Sequence, residues 1–120
     1  EALEILSKII ENHPSYDSAY NNRAQVYQLL NETEKAMNDL NKAIELSVAT
    51  KHNIVARQAF TQRGILHKLN NDEDAARNDF NRGAELGSPL AKAEAAKLHP
   101  AAKLCAQMVQ QAMSAEFNEH

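Results

Sequence analysis

The sequence is poor in the residues that stabilise small secreted domains and β-sheets. Its 120 residues contain one cysteine, three glycines, three prolines, no tryptophan, three tyrosines and three phenylalanines. Because Cys105 is alone, a disulfide within the chain is excluded, and a reducing, cytoplasmic compartment is the expectation. No apolar run approaches the roughly 18 residues that a transmembrane helix needs, so no membrane segment is predicted.

The chain also lacks a strong charge of either sign. It has 13 Lys and Arg against 16 Asp and Glu, which gives a net charge of −3. Binding to phosphate backbones requires clustered basic residues, so a nucleic acid is not the predicted partner. At 43% hydrophobic residues the chain can form a core, which excludes a disordered protein.

What is abundant favours helices. Ala, Leu, Glu, Lys and Gln are strong helix formers, and Val, Ile and Thr never alternate with polar residues over the length of a strand. Apolar residues recur at helical spacing in seven segments, which are separated by turn signals such as Pro14, Asn31, Gly87 and Pro100. The sequence therefore predicts an all-α protein.

The segments contain an internal repeat. One set of positions recurs with identical gaps: Tyr20, Arg23, Ala24, Tyr27, Ala36, Leu40 and Ala43, then Phe60, Arg63, Gly64, His67, Ala76, Phe80 and Gly83. Ala2 precedes Ala36 by 34 residues, whereas Ala36 precedes Ala76 by 40 residues. About six extra residues therefore lie near 47–52, and we predict that they lengthen the flanking helices rather than form a loose loop.

This spacing resembles the tetratricopeptide repeat, a helix–turn–helix unit of about 34 residues. The resemblance implies a solenoid in which small residues at positions 24, 36, 64 and 76 allow close helix packing. It divides the chain into the second helix of a first repeat (1–14), a second repeat (15–51), a third repeat (52–87) and C-terminal capping helices (88–120). It also implies that the first helix of the first repeat lies upstream of Glu1.

Two Arg–Asp pairs have the same spacing in the two repeats. Arg23 precedes Asp39 by 16 residues, and Arg63 precedes Asp79 by 16 residues. We predict that each arginine reaches across its helix pair to its aspartate and fixes the packing register. The alternative is that these arginines bind an acidic ligand.

The concave face of such a solenoid is formed by the first helix of every repeat. On that face we predict a peptide-binding groove rich in amide side chains, with these candidate residues: Asn21, Asn22, Gln25, Gln28, Gln58, Thr61, Gln62, Ile65 and Lys68. Amides both donate and accept hydrogen bonds, which suits the backbone of an extended peptide. The alternative is a solvated polar surface without a ligand.

The resemblance extends to one small branch of the family, through the stretches 19–25, 57–64, 79–89 and 98–105. Proteins of this branch associate with heat-shock chaperones of the seventy-kilodalton class, which implies an adaptor that binds a protein or peptide. Related domains hold a chaperone's terminal carboxylates in a clamp, and Asn22 matches one clamp residue. Gln58 and Gln62 stand where that clamp is basic, and the basic residues nearby, Arg57, Arg63 and Lys68, are predicted to lie in a different helical phase from these two positions. The association with chaperones is therefore implied by the resemblance alone, because the clamp residues of this sequence do not support it.

No arrangement of residues suggests catalysis, a metal site or a cofactor. The five histidines have no partner at ligand spacing, and His67, in an aromatic position of the repeat, is predicted to be packed and hydrogen bonded. Cys105 lies on an apolar stripe and is predicted to be a buried small residue rather than a nucleophile. The prediction is a non-enzymatic interaction protein.

Both ends of the chain carry apolar stripes. At the C-terminus we predict that a helix over 104–113 folds against the repeats. Alternatively Leu104, Met108 and Val109 are exposed, and this helix binds a partner or dimerises, as in a ciliary or cytoskeletal scaffold. At the N-terminus we predict that Leu3 and Leu6 are covered by an upstream helix, a second protomer or a partner chain.

Overall fold

The computed structural model describes residues 1–118, so His120 lies outside the described residues. Within them the chain forms seven α-helices and no strand. The helices are α1 (Ala2–Asn12), α2 (Asp17–Leu29), α3 (Thr33–Ala49), α4 (Asn53–Leu69), α5 (Glu73–Glu85), α6 (Pro89–Leu98) and α7 (Pro100–Asn118). The all-α prediction is confirmed. Successive helices pack in order from α1 to α6 as a helical solenoid, in a molecule that measures 67 × 29 × 18 Å.

Tight turns reverse the chain after α2, α3, α4 and α5. Each turn contains one residue of positive φ, namely Asn31, Lys51, Asn71 or Gly87. After α2, the Asn31 N–H donates to the Gln28 carbonyl and the Glu32 N–H donates to the Tyr27 carbonyl. The same two bonds recur after the other three helices, so their last carbonyls are satisfied by a Schellman motif. Short turns of this kind make neighbouring helices antiparallel.

The extra residues between the repeats are helical. α3 and α4 have 17 residues each, whereas α2 and α5 have 13 each. Only residues 50–52 remain between α3 and α4. The predicted lengthening of the flanking helices is confirmed, because the insertion extends both of them instead of opening a loop.

The core consists of a thin layer of buried side chains between paired helices. One cluster, centred on Tyr20, Ala24 and Leu40, joins α2, α3 and α4. A second cluster, centred on Ala76 and Phe80, joins α5 to α6. The small residues predicted to allow close packing, Ala24, Ala36 and Ala76 among them, are fully buried.

Gly64 is the tightest of these packing positions. A Cβ at this position would lie 2.8 Å from both Cδ1 and Cε1 of the Phe80 ring. The equivalent positions of the preceding repeat hold Ala24 and Leu40, which are fully buried in one cluster. The larger ring at position 80 is therefore accommodated by the missing methyl group at position 64.

The prediction that the last helix folds against the repeats is wrong. Every α7 side chain described, from position 101 to 115, is exposed, and α7 packs only against the end of α6. Among its described side chains, a polar link to the repeats joins Lys103 to Glu73. Cys105 is exposed as well, so the prediction of a buried cysteine is also wrong. The apolar stripe makes α7 an amphipathic helix. Because α6 already covers the end of the core, α7 has no open core surface to pack against.

The N-terminal helix α1 is covered on one side only. It contacts α2 and has no fully buried residue, and Ile5 is 59% exposed. Leu3 and Leu6 are half-buried. That a further helix, a second protomer or a partner chain covers them stays a prediction.

Replacing Gly64 by Ala is expected to destabilise the fold. The new methyl group would overlap the Phe80 ring, and overpacking of this kind costs about 1–3 kcal/mol, against a gain of up to about 1 kcal/mol in helix propensity. The double variant Gly64→Ala with Phe80→Leu restores the combination found at Ala24 and Leu40, and it should recover most of the lost stability. Urea unfolding of both variants measures this. A single variant as stable as the wild type would contradict the steric argument.

Candidate functional site: a concave groove lined by amides

The two Arg–Asp pairs come together as predicted from their spacing. The Arg23 Nε lies 2.7 Å from Asp39 Oδ2, and its Nη2 lies 2.7 Å from Oδ1. The corresponding distances from Arg63 to Asp79 are 2.7 and 2.8 Å. Both aspartates are buried, at 5% and 6% exposure. Each pair is a two-pronged ion pair that joins the two helices of one repeat.

The remaining contacts of these arginines also lie within the scaffold. Arg23 stacks near Tyr27, 5.7 Å from the ring centre, and Arg63 donates to Asn41 at 2.9 Å. The hydrogen bonds from Arg23 to Asp39 raise the pKa of the guanidinium above its ordinary value, so the arginine stays charged. His67 lies 3.5 Å from the Asp79 carboxylate. With these neighbours the arginines serve as links between helices, and nothing in their surroundings resembles an open ligand site.

A groove of about 680 Å³ opens on the other side of α2 and α4. It is formed by one face of α2, one face of α4 and the turn that begins α6. Twelve residues line it: Gln25, Gln28, Leu29, Arg57, Gln58, Thr61, Gln62, Ile65, Gly87, Ser88, Pro89 and Leu90.

Six of the nine residues predicted for the groove line it: Gln25, Gln28, Gln58, Thr61, Gln62 and Ile65. The other three lie elsewhere. Asn21 is 1% exposed and lies beneath Gln58, and Asn22 is exposed outside the lining. Lys68 binds Glu94 of α6 at 2.8 Å. The position that resembles a clamp residue, Asn22, is thus not part of this groove.

The amide side chains hold one another in place. Gln28 Nε2 donates to Gln62 Oε1 at 3.0 Å, and Asn21 Nδ2 donates to Gln58 Oε1 at 3.0 Å. Each bond joins α2 to α4. Among the described residues no further hydrogen bond engages the Gln28 acceptor or the Gln62 donor, so both remain available for a ligand. The buried Asn21 Oδ1 is also without a partner in this part of the chain.

The wall contributed by α6 was not predicted. Thr61 Oγ1 donates to Ser88 Oγ at 3.1 Å, and a Cβ at Gly83 would lie only 2.9 Å from that of Ala91. These contacts bring the start of α6 against α4 and α5, where a further repeat would place its first helix. The repeat pattern ends before Ser88 and therefore gave no position for the side chains that follow it.

Arg57 lines the groove, although the sequence set it apart from Gln58 and Gln62 by its helical phase. It precedes Thr61 by four residues and Ile65 by eight, so the three share one face of α4. The repeat spacing, counted from Gln58 and Gln62, obscured this arrangement.

An ionic contact joins α6 to α4 outside the groove lining. Glu94 of α6 accepts hydrogen bonds from Lys68 at 2.8 Å and from Lys97 at 3.3 Å. The bond from Lys68, together with that from Lys97, lowers the pKa of Glu94 below its ordinary value. The contact ties α6 to α4 in addition to their apolar packing.

Within residues 1–118 no group of three His, Cys, Asp or Glu side chains is arranged to hold a metal ion. Nor does any helix in that range have the length and hydropathy to cross a membrane.

Comparison with known proteins identifies the class. Residues 18–47 match the family model of the tetratricopeptide repeat. The fold is similar to the N-terminal domain of stress-induced protein-1 from Caenorhabditis elegans, with a TM-score of 0.70 and 25% identity over 78% of this chain and 75% of that domain. The chain is thus an all-α repeat solenoid of tetratricopeptide type, and tetratricopeptide repeats are protein-interaction modules.

Curated relatives are more similar still in sequence. Tetratricopeptide repeat protein 36 of Caenorhabditis elegans is 55% identical over 91% of this chain, and the Nematostella vectensis homologue is 51% identical over 93%. The human protein of that name is 44% identical over 90%. The chain spans about 60% of the length of the curated relatives that it matches.

Removing one aspartate of a pair should destabilise the fold. Asp79→Ala leaves the Arg63 charge half-buried without a counter-ion, and we expect a loss of roughly 2–4 kcal/mol in the free energy of unfolding. Asp39→Ala should behave similarly. The exposed Asp74→Ala is the control and should change stability by less than about 1 kcal/mol. Should the pair variants melt like the wild type but bind ligand weakly, the arginines would belong to a ligand site instead.

The Lys68–Glu94 contact should make stability depend on pH. Because the pKa of Glu94 is lowered in the folded chain, its contribution is present above the ordinary glutamate pKa of about 4.3 and is lost as pH falls through the lowered value. At pH 7 the free energy of unfolding of Glu94→Gln should therefore be lower than that of the wild type, by less than about 1 kcal/mol. In acid the two proteins should become equally stable. Thermal melts from pH 7 to pH 3 measure this, with the exposed Glu85→Gln as control. A difference independent of pH would exclude the ionic explanation.

Proposed function

We propose that this chain is a non-enzymatic interaction module that binds an extended peptide segment in the groove between α2, α4 and α6. The observation that carries the proposal is the continuous groove of about 680 Å³, lined by amides fixed in place by hydrogen bonds to one another. Its rims carry the exposed apolar side chains of Leu29 and Leu90.

The chemistry of the amides fits a peptide backbone. Gln28 offers a free acceptor beside the free donor of Gln62, and a peptide unit carries one donor and one acceptor. Because the two glutamines already restrain each other, less side-chain entropy is lost when a ligand is bound. Hydrogen bonds to the backbone would supply affinity, and the rims would supply preference for particular side chains.

The finer proposal is a chaperone-associated adaptor, with a heat-shock chaperone of the seventy-kilodalton class as a possible partner. Similarity to tetratricopeptide repeat protein 36 and the fold shared with a stress-induced protein support it. Gln58 and Gln62 are neutral where a carboxylate clamp would be basic. Binding of a chaperone would therefore use contacts other than that clamp.

A second candidate surface is α7. Leu104, Met108 and Val109 are 57%, 60% and 59% exposed, as the scaffold alternative requires. A helix with such a stripe is suited to binding another helix, including a second copy of itself.

A display library of random twelve-residue peptides tests the groove against α7. The library would be selected on the wild type, and the enriched peptides measured on Leu29→Ala with Gln62→Ala, on Leu69→Ala and on Met108→Glu. Leu69 is the matched control, because it occupies the position of Leu29 in the next repeat, is 73% exposed and lies outside the groove.

We expect the groove variant to lose at least tenfold in affinity and the other two to bind like the wild type. Peptides that bind the groove variant normally would refute the groove. Peptides lost only on Met108→Glu would transfer the function to α7.

A further inference from the structure

We propose that the groove selects peptide segments with an internal acidic side chain, bound by Arg57 and flanked on both sides by apolar residues that contact Leu29 and Leu90. The inference rests on the proposed function and adds the chemistry of the ligand.

Within the part of the chain that the structure describes, Arg57 is the one arginine without a carboxylate partner. Of the five arginines, Arg23 and Arg63 bind buried aspartates, and Arg77 and Arg82 lie within 4 Å of an acid on their own helix. No described carboxylate lies within ion-pair distance of Arg57. It is half-buried and is the only charged side chain among the groove residues. A partly desolvated cation in a groove of neutral amides complements a single negative charge.

The position of this charge indicates where the acid lies in the ligand. Arg57 comes from α4, the middle of the three helices, with α2 on one side and α6 on the other. A Cβ at Gly87 would lie 3.6 Å from Arg57 Nη1, so the guanidinium is directed towards the start of α6. A chain that contacts both α2 and α6 continues past Arg57 in both directions. The carboxylate is therefore that of an internal Asp or Glu rather than of a chain terminus.

The two rims define what flanks the acid. Leu29 on α2 is 85% exposed and Leu90 on α6 is 52% exposed. Packed helices lie about 8–10 Å apart, and an extended chain advances about 3.3 Å per residue. Because the side chains of an extended chain alternate between its two faces, each leucine would meet the ligand side chain about two residues from the acid, on the same face as the acid. An apolar residue on each side of the acid would cover both leucines.

Defined peptides test the inference directly. The first is an eleven-residue peptide of Ser and Ala with Glu at its centre, Leu two positions to either side and both termini blocked. The second replaces that Glu by Gln. The third peptide stops after the central position. Gln occupies that position, and its C-terminal carboxylate is left free. Fluorescence anisotropy would measure each peptide on the wild type, on Arg57→Gln and on the control Arg77→Gln, which removes a surface charge outside the groove.

We expect the change from Glu to Gln in the peptide to weaken binding to the wild type and to Arg77→Gln about tenfold, and to leave binding to Arg57→Gln unchanged. An equal loss on wild type and Arg57→Gln would overturn the assignment to Arg57. A third peptide that binds more tightly than the first would overturn the internal position of the acid.

The library selection separates this inference from the function on which it depends. If peptides enriched through the groove show no acidic residue, and Arg57→Gln binds them like the wild type, the groove stands and the acidic specificity fails. If no peptide is enriched through the groove, the proposed function itself fails. Circular dichroism of Arg57→Gln, compared with the wild type, establishes that the variant is folded.

Discussion

The two-pronged Arg–Asp pair within each repeat is the constraint on which the rest of the structure depends. Asp39 and Asp79 are almost inaccessible to water, and each receives two hydrogen bonds from one guanidinium. Two bonds in one plane fix both the rotation and the translation of one helix against the other. With one side of α2 and of α4 engaged in this way, the opposite side of each helix faces the concave surface. The amides of the groove therefore point where they do because the arginines are engaged behind them.

Most of the fold was predictable because each helix pair repeats the same contacts. A residue that must be small at position 24 must be small again at position 64, and an ion pair over 16 residues recurs over 16 residues. Such coincidences reveal a repeat even where Leu is replaced by Phe and Tyr by His. The six groove residues were predicted for the same reason, since their helical phase follows from that of the core.

What could not be predicted lies where the repeat stops. The stripe of α7 shows that this helix is amphipathic, but whether it folds back depends on whether the core still has an open end, and α6 closes it. The α6 wall of the groove depends on the approach of Ser88 to Thr61, a contact between a repeat and a segment outside it. Arg57 was missed because its position was compared with Gln58 and Gln62 alone, although it lies on the same face of α4 as Thr61 and Ile65.

The packing at Gly64 and Phe80 also limits how the chain could be rearranged by duplication or by recombination of its parts. If α2 were paired with α5, the phenylalanine ring would lie where Ala24 already has a methyl group. If α4 were paired with α3, a void would remain between Gly64 and Leu40. Individual helices are therefore not interchangeable between the two repeats, although their ion pairs are equivalent. The smallest unit that could be copied or exchanged without a packing defect is a whole helix pair, carrying its small residue and its large residue together.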